Sequence, residues 1–194
     1  MSQSRDKNHY ICHMTETKNK ILEAAIALWS QDLGTSLDDI AKHVGVSRRT
    51  LHRHYQGRED LVKNVMEHLI KTYLASIEEL LSEKEDSIEN QLKKLFINDV
   101  QSADMHLVCR NLRTYEFLDF NAKDKNVQRV FGLYHSVFNT LKNSGLIAED
   151  YTVEWLEAFY SSVIEAAIKK IKAGNDDEEY LFMAWRSFWN GIKK

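Results

Sequence analysis

The sequence predicts an all-α fold: an N-terminal three-helix unit built as a helix-turn-helix, followed by a larger C-terminal helical bundle. Two observations predict it. The chain has no proline and only seven glycines in 194 residues, so helix breakers are scarce. Apolar residues recur at helical rather than alternating spacing through most segments between the polar breaks. Composition adds little against this reading, with 43% hydrophobic and 28% charged residues as in ordinary globular chains. No run approaches the roughly 18 apolar residues of a membrane span. The opening residues lead into no apolar segment of a secretory signal. Cys12 and Cys109 form no short-spaced motif, so a reducing, cytoplasmic setting is expected.

Taken in order, residues 1–14 show no apolar periodicity and read as a flexible tail. A first helix follows, with Ile21, Leu22, Ala25, Leu28 and Trp29 at helical spacing, ended near Gly34-Thr35. Ser36 then stands as an N-cap with Asp39 three residues on, a capping-box arrangement. The short helix it opens carries Leu37, Ile40, Ala41 and Val44, and Gly45 suits the left-handed residue that ends it. Ser47 caps another short helix that runs to about Tyr55. Gly57 precedes a helix of some 25 residues bearing Leu61, Val65, Ile70, Leu74, Ile77 and Leu81 on one face. Further helices are predicted near 87–102, 104–120, 124–143, 151–173 and 177–192. The expected organisation is a tail at 1–14, a helix-turn-helix unit at 15–57 and a C-terminal domain at 58–194.

Residues 37–56 fit a helix-turn-helix position by position. Ala41 is small where the second helix must cross the first, and Gly45 sits where the turn needs a positive φ. Ile40, Val44, Val46 and Leu51 are apolar where the helices pack. Charge agrees. The whole chain is slightly acidic, at −3, yet no Asp or Glu occurs between Ile40 and Arg58, where Lys42, Arg48, Arg49, Arg53 and Arg58 are joined by His43, His52 and His54. A local cationic patch on an acidic chain is the electrostatic footprint of a polyanion partner. A second helix of this kind enters the major groove, where arginine forks onto guanine O6 and N7. The candidate DNA contacts are Ser36, Lys42, Ser47, Arg48, Arg49, Thr50, His52, Arg53, His54 and Arg58, the last assigned to a phosphate.

These same residues resemble a known family. Ile21-Leu22-Glu23-Ala24-Ala25, Leu37-Asp38-Asp39-Ile40-Ala41, Gly45 through Tyr55 and Arg58-Glu59-Asp60-Leu61 occur in the order found in the DNA-binding domain of TetR-family transcriptional regulators. The likeness covers residues 17–65. It implies a homodimer on a pseudo-palindromic double-stranded DNA operator, a C-terminal domain that holds a small-molecule inducer, dimerisation through the last two helices, and a repressor rather than an enzyme. Arg49 stands where the family often has Gly and His52 where it often has Tyr, and the link Gln31–Thr35 looks about two residues short.

Two C-terminal regions are singled out. Residues 104–141 are rich in aromatic side chains and read either as ordinary core or as an apolar ligand pocket with a few polar groups. The candidate ligand residues are His106, Cys109, Tyr115, Phe131, Tyr134, His135 and Phe138. The last two helices are apolar enough to expect a symmetric interface, with candidates Trp155, Phe159, Ser162, Ile164, Ala167, Trp185, Phe188 and Trp189. No cofactor, metal or membrane is expected: His9, Cys12 and His13 lack a fourth ligand nearby, and no histidine has Glu three residues before it, as an inward-facing carboxylate–histidine site in a helical bundle would. A helical-bundle enzyme and a helical adaptor protein without DNA binding are the alternatives. The missing acidic residues across Ile40–Arg58 weigh against the adaptor.

Overall fold

A computed structural model describes the backbone of residues 3–113 and 124–194, and the side chains of 16–111 and 124–194. Among these residues it contains nine α-helices: α1 (Gln3–Gln31), α2 (Leu37–Val44), α3 (Arg48–His54), α4 (Arg58–Ser82), α5 (Ile88–Gln101), α6 (Ala103–Arg113), α7 (Lys125–Asn143), α8 (Val153–Lys172) and α9 (Asp177–Ile192). No strand is formed among them; the nearest approach is an isolated bridge between Ile147 and Lys193. No helix among them is long and apolar enough to cross a membrane. The main difference from the sequence reading is at the N-terminus, where α1 begins at Gln3, so the segment expected as a tail continues the first helix.

The chain divides into two compact units. The first comprises residues up to Leu69 together with 107–118, the second Ile70–His106 with 119–194. The division therefore falls inside α4 rather than before it. The first turns of α4 bury Leu61, Val62, Val65 and Met66, so they belong to the core of the N-terminal unit. Within that unit α1, α2 and α3 pack on one another, around Ile21, Ala25, Trp29, Ile40, Leu51 and Tyr55, each 1% exposed or less.

The second unit is a helical bundle in which α8 packs against α5, α7 and α9. Its centre is aromatic. Phe96, Phe138 and Phe188 are 1% exposed or less, and Tyr160 meets their rings edge-on at centroid distances of 5.6, 5.3 and 5.2 Å. Burying each such ring stabilises by about 1.5–3 kcal/mol, and edge-on pairs add to that. The C-terminus is tied down by backbone hydrogen bonds from Ala148 N–H to Ile192 O (3.1 Å) and from Lys194 N–H to Leu146 O (3.0 Å).

Candidate functional site

The helix-turn-helix is fixed by short-range chemistry. Ser36 Oγ accepts from the Asp39 amide at 3.1 Å, while the Asp39 carboxylate takes the Ser36 hydroxyl at 2.6 Å and the Ser36 amide at 3.3 Å. Those two hydrogen bonds hold the Asp39 carboxyl below its usual range. Gly45 adopts φ +75°, and its N–H closes α2 onto the carbonyls of Ala41 and Lys42. That left-handed residue turns the chain, and Ser47 opens α3 by accepting the Thr50 amide at 3.1 Å. The hydroxyls of Ser36 and Ser47 are thus engaged in capping.

The turn sets which side of α3 is covered. Leu51 is fully buried, and Arg49, His52 and Arg53, at spacings of three and four, share the opposite, exposed face. Lys42 on α2 is exposed as well. None of these four side chains makes an ion pair or hydrogen bond among the described residues. Arg48 differs, reaching Asp38 at 3.3 Å. Both partners are well exposed, so that pair is worth little and yields easily to a phosphate. Thr50 is half-buried beside Ser47, with its hydroxyl 2.9 Å from Ser47 Oγ. His54 is half-buried with Nε2 shielded and unpartnered. Burial, then the charges of Arg53 and Lys18, lower its pKa. Tyr55 is a packing residue. Its hydroxyl donates to Lys18 O at 3.1 Å, and burial raises it to about 12.

Arg58 does something sequence reasoning did not assign. Its guanidinium donates to the carbonyls of Thr35 (2.8 Å) and Leu33, and lies over the Trp29 ring at 4.8 Å from the centroid. Trp29 Nε1–H in turn donates to Thr35 O at 3.1 Å. The short α1–α2 link therefore closes around this arginine, whose N–H groups satisfy carbonyls that no helix serves. The signal in the sequence was that short link, with Trp29 just before it.

The candidate ligand residues are dispersed: Cys109 falls in the first unit, and His106, Phe131, Tyr134, His135 and Phe138 in the second. Phe138 is buried in the aromatic core and Tyr134 is half-buried. Phe131 is 62% exposed, and His135 is exposed with Nδ1 3.1 Å from Glu157. Cys109 is half-buried. Tyr115 lies outside the described residues. His106 is half-buried with its ring edge on Tyr73 at 5.9 Å and Nε2 unpartnered, and burial lowers its pKa to about 4. The polar centre of this unit is a residue the sequence did not single out. Asp99, 1% exposed, accepts hydrogen bonds from Tyr73 (2.6 Å) and Tyr134 (2.5 Å) on Oδ1 and from Tyr160 (2.8 Å) on Oδ2.

The interface candidates also separate. Ile164, Ala167, Trp185, Phe188 and Trp189 are 8% exposed or less, packed within their own unit, so they do not form its surface. The exposed apolar side chains of α8 and α9 are Trp155 (56%), Phe182 (61%) and Met183 (40%). Ser162 is exposed and Phe159 half-buried beside Gly191, whose Cβ position would lie 3.2 Å from the Phe159 ring.

Comparison with known proteins places this geometry. Residues 21–65 match the family model described as bacterial regulatory proteins, tetR family. Over 59 residues the chain is 34% identical to IcaR of Staphylococcus epidermidis, a negative transcriptional regulator of a biofilm operon; the match covers 29% of this chain and 32% of IcaR. Over 62 residues it is 37% identical to the transcriptional repressor LfrR of Mycolicibacterium smegmatis, covering 32% and 33%. The matched stretch thus spans about a third of each curated relative. Solved structures extend the likeness in fold. LfrR in complex with proflavine superposes with a TM-score of 0.68 at 21% identity, over 92% of this chain and 97% of that one. The ketosteroid regulator KstR2 of Mycobacterium tuberculosis gives a TM-score of 0.76 at 16% identity, over 91% and 95%. Residues 21–65 are thus similar to the tetR family of bacterial regulatory proteins, and the chain shares its helical fold with solved TetR-like regulators.

Proposed function

We propose that this protein is a sequence-specific DNA-binding transcriptional regulator that acts as a dimer and represses until a small molecule releases it. One observation carries the reading. Lys42, Arg49, His52 and Arg53 stand exposed and uncommitted around a reading helix whose start is capped and whose turn is set by Gly45. Uncommitted basic and polar side chains on and beside a capped helix suit the major groove, since they lose no internal partner on binding. Arg49 is assigned to a base edge, and Lys42 and Arg48 to phosphates. Ser36, Ser47, Thr50 and His54 support the frame. Arg58 is reassigned from phosphate contact to holding the α1–α2 link.

The dimer is proposed through the outer faces of α8 and α9, centred on Trp155, Ser162, Phe182 and Met183, because large apolar side chains this exposed call for a partner surface. A two-fold axis would then present two reading helices to two half-sites. IcaR and LfrR are negative regulators, which favours repression here. Selection of bound DNA from a random library tests the reading, with enrichment of an inverted repeat expected. Light scattering tests the assembly: a dimer is expected for the unmodified chain, and a monomer for Trp155→Glu combined with Phe182→Glu. Failure to enrich any sequence would refute the proposal.

A further inference from the structure

The second unit holds a carboxylate that no described lysine or arginine neutralises. Asp99 on α5 has as partners the phenols of Tyr73 on α4, Tyr134 on α7 and Tyr160 on α8. No lysine or arginine stands on it among the described residues. A buried carboxylate held only by neutral donors recovers part of its lost hydration, and a cation recovers more. Burial pushes this carboxyl up to about 6, so it is anionic at neutral pH.

The protons around it do not fill every contact. The hydroxyls of Tyr73 and Tyr134 lie 2.9 Å apart, and each also lies within 2.6 Å of Oδ1. Each phenol has one proton. While Asp99 is ionised both protons go to Oδ1, and the contact between the two hydroxyl oxygens carries none. The surroundings are aromatic: the Tyr160 ring has Phe138 at 5.3 Å and Tyr134 at 6.0 Å, centroid to centroid, and aromatic rings favour a cation over an anion. His106, edge-on to Tyr73, is kept neutral by burial and adds no positive charge that would repel one.

We propose that Asp99 with Tyr73, Tyr134 and Tyr160 is the polar anchor of the effector site, and that it selects a largely apolar cation whose charged N–H group replaces the Tyr134 hydroxyl at Oδ1. The inference rests on reading the second unit as the sensing unit. Tyr134 is the phenol to leave because its side chain is the least enclosed of the three: the residue is half-buried, whereas Tyr73 and Tyr160 are 7% and 3% exposed. Its departure also removes the oxygen–oxygen contact that has no proton. A neutral ligand exchanges one neutral donor for another, and an anion meets a like charge.

Two xanthene dyes of similar size test this by fluorescence polarisation on the full-length protein: cationic rhodamine 6G and anionic fluorescein. Rhodamine 6G should bind more tightly by about tenfold or more. Asp99→Asn, which keeps the shape and one acceptor oxygen but removes the charge, should bring the two dyes to near-equal affinity. Tyr134→Phe, which keeps the ring, should retain the preference and tighten rhodamine 6G. Lowering the pH through about 6 should weaken rhodamine 6G as Asp99 gains a proton. Tyr134 and Tyr160 stay protonated throughout, His106 charges only near 4, and Glu165 acts on His106. That pH response stands in for Asp99→Asn if the variant does not fold. Equal binding of both dyes, no binding of rhodamine 6G, or an unaltered preference in folded Asp99→Asn overturns the inference. A gel shift without dye keeps the two readings apart: DNA binding without cation binding loses only the anchor, and cation binding through Asp99 without DNA binding loses only the regulator.

Discussion

The helix-turn-helix and the Asp99 cluster are both polar constructions, but they are assembled over different distances along the chain. The hydrogen bonds that shape the first join residues three apart, Ser36 with Asp39 and Ser47 with Thr50. Those at Asp99 join residues 26, 35 and 61 apart. A local motif takes its shaping bonds from near neighbours, so its outward face is left free for a partner. A cluster drawn from four helices exists only once the bundle has packed, and any ligand that enters it acts on all four. Arg58 lies between these cases, with partners 23 and 25 residues away.

The contrast is sharpest where a residue looks local and is not. Arg58→Ala should cost about 2–3 kcal/mol of stability, because it leaves the Leu33 carbonyl without its side-chain donor, leaves Thr35 O only the Trp29 indole, and uncovers the Trp29 ring. Arg58→Lys should rescue little, since a single ammonium does not span two carbonyls and a ring. Urea denaturation measures both. A loss of DNA affinity in Arg58→Ala at unchanged stability would return the residue to phosphate contact.

The cluster should show itself in pH. Burial raises Asp99 from 3.8 to about 6, so the folded protein holds that proton more tightly than the unfolded chain does. The group therefore favours folding at acid pH, and that advantage is lost as pH rises from about 4 to about 6. Burial lowers His106 from 6.5 to about 4, which has the opposite sign: stability grows as pH rises through the same window. Each slope amounts to about 3 kcal/mol, and in the native protein they nearly cancel. His106→Gln should uncover the Asp99 slope, with stability falling between pH 4 and 6. Asp99→Asn should uncover the rise from His106, which His54 reinforces. Parallel profiles in both variants would contradict the assignment.

Smaller effects belong to the local motif. Gly45→Ala places a side chain in open space but at φ +75°, and should cost about 1–2 kcal/mol by backbone strain alone. Ser47→Ala should cost about 1 kcal/mol through the lost cap. Thermal melts resolve both.

What the sequence made legible follows the same division. The capping box at Ser36 and Asp39, the left-handed Gly45 and the cap at Ser47 follow from spacings of a few residues. Helices α5, α7, α8 and α9 were also legible to within a few residues, because apolar periodicity marks them, while the end of the helix expected at 104–120 lies outside the described residues. Periodicity does not say which of two apolar faces turns inward. On α8 and α9 it could not separate Trp185 and Ile164, which are buried, from Trp155 and Phe182, which are exposed. Asp99 did leave a trace. It occupies the buried stripe of α5 with Leu92, Leu95, Phe96 and Val100, and a carboxylate on such a stripe needs partners. Naming Tyr73, Tyr134 and Tyr160 as those partners required the packing.

The central claim is that the exposed face of α3 reads DNA, and equilibrium binding to a selected operator tests it most directly. Arg49→Ala should lose about 1–3 kcal/mol of affinity for that operator and discriminate less at one base position, with no change in melting temperature. Binding of the unmodified protein should weaken steeply with added salt, as phosphate contacts require. Equal affinity of Arg49→Ala and the unmodified chain for the selected sequence, or binding of the unmodified chain to random DNA as tightly as to that sequence, would contradict the account.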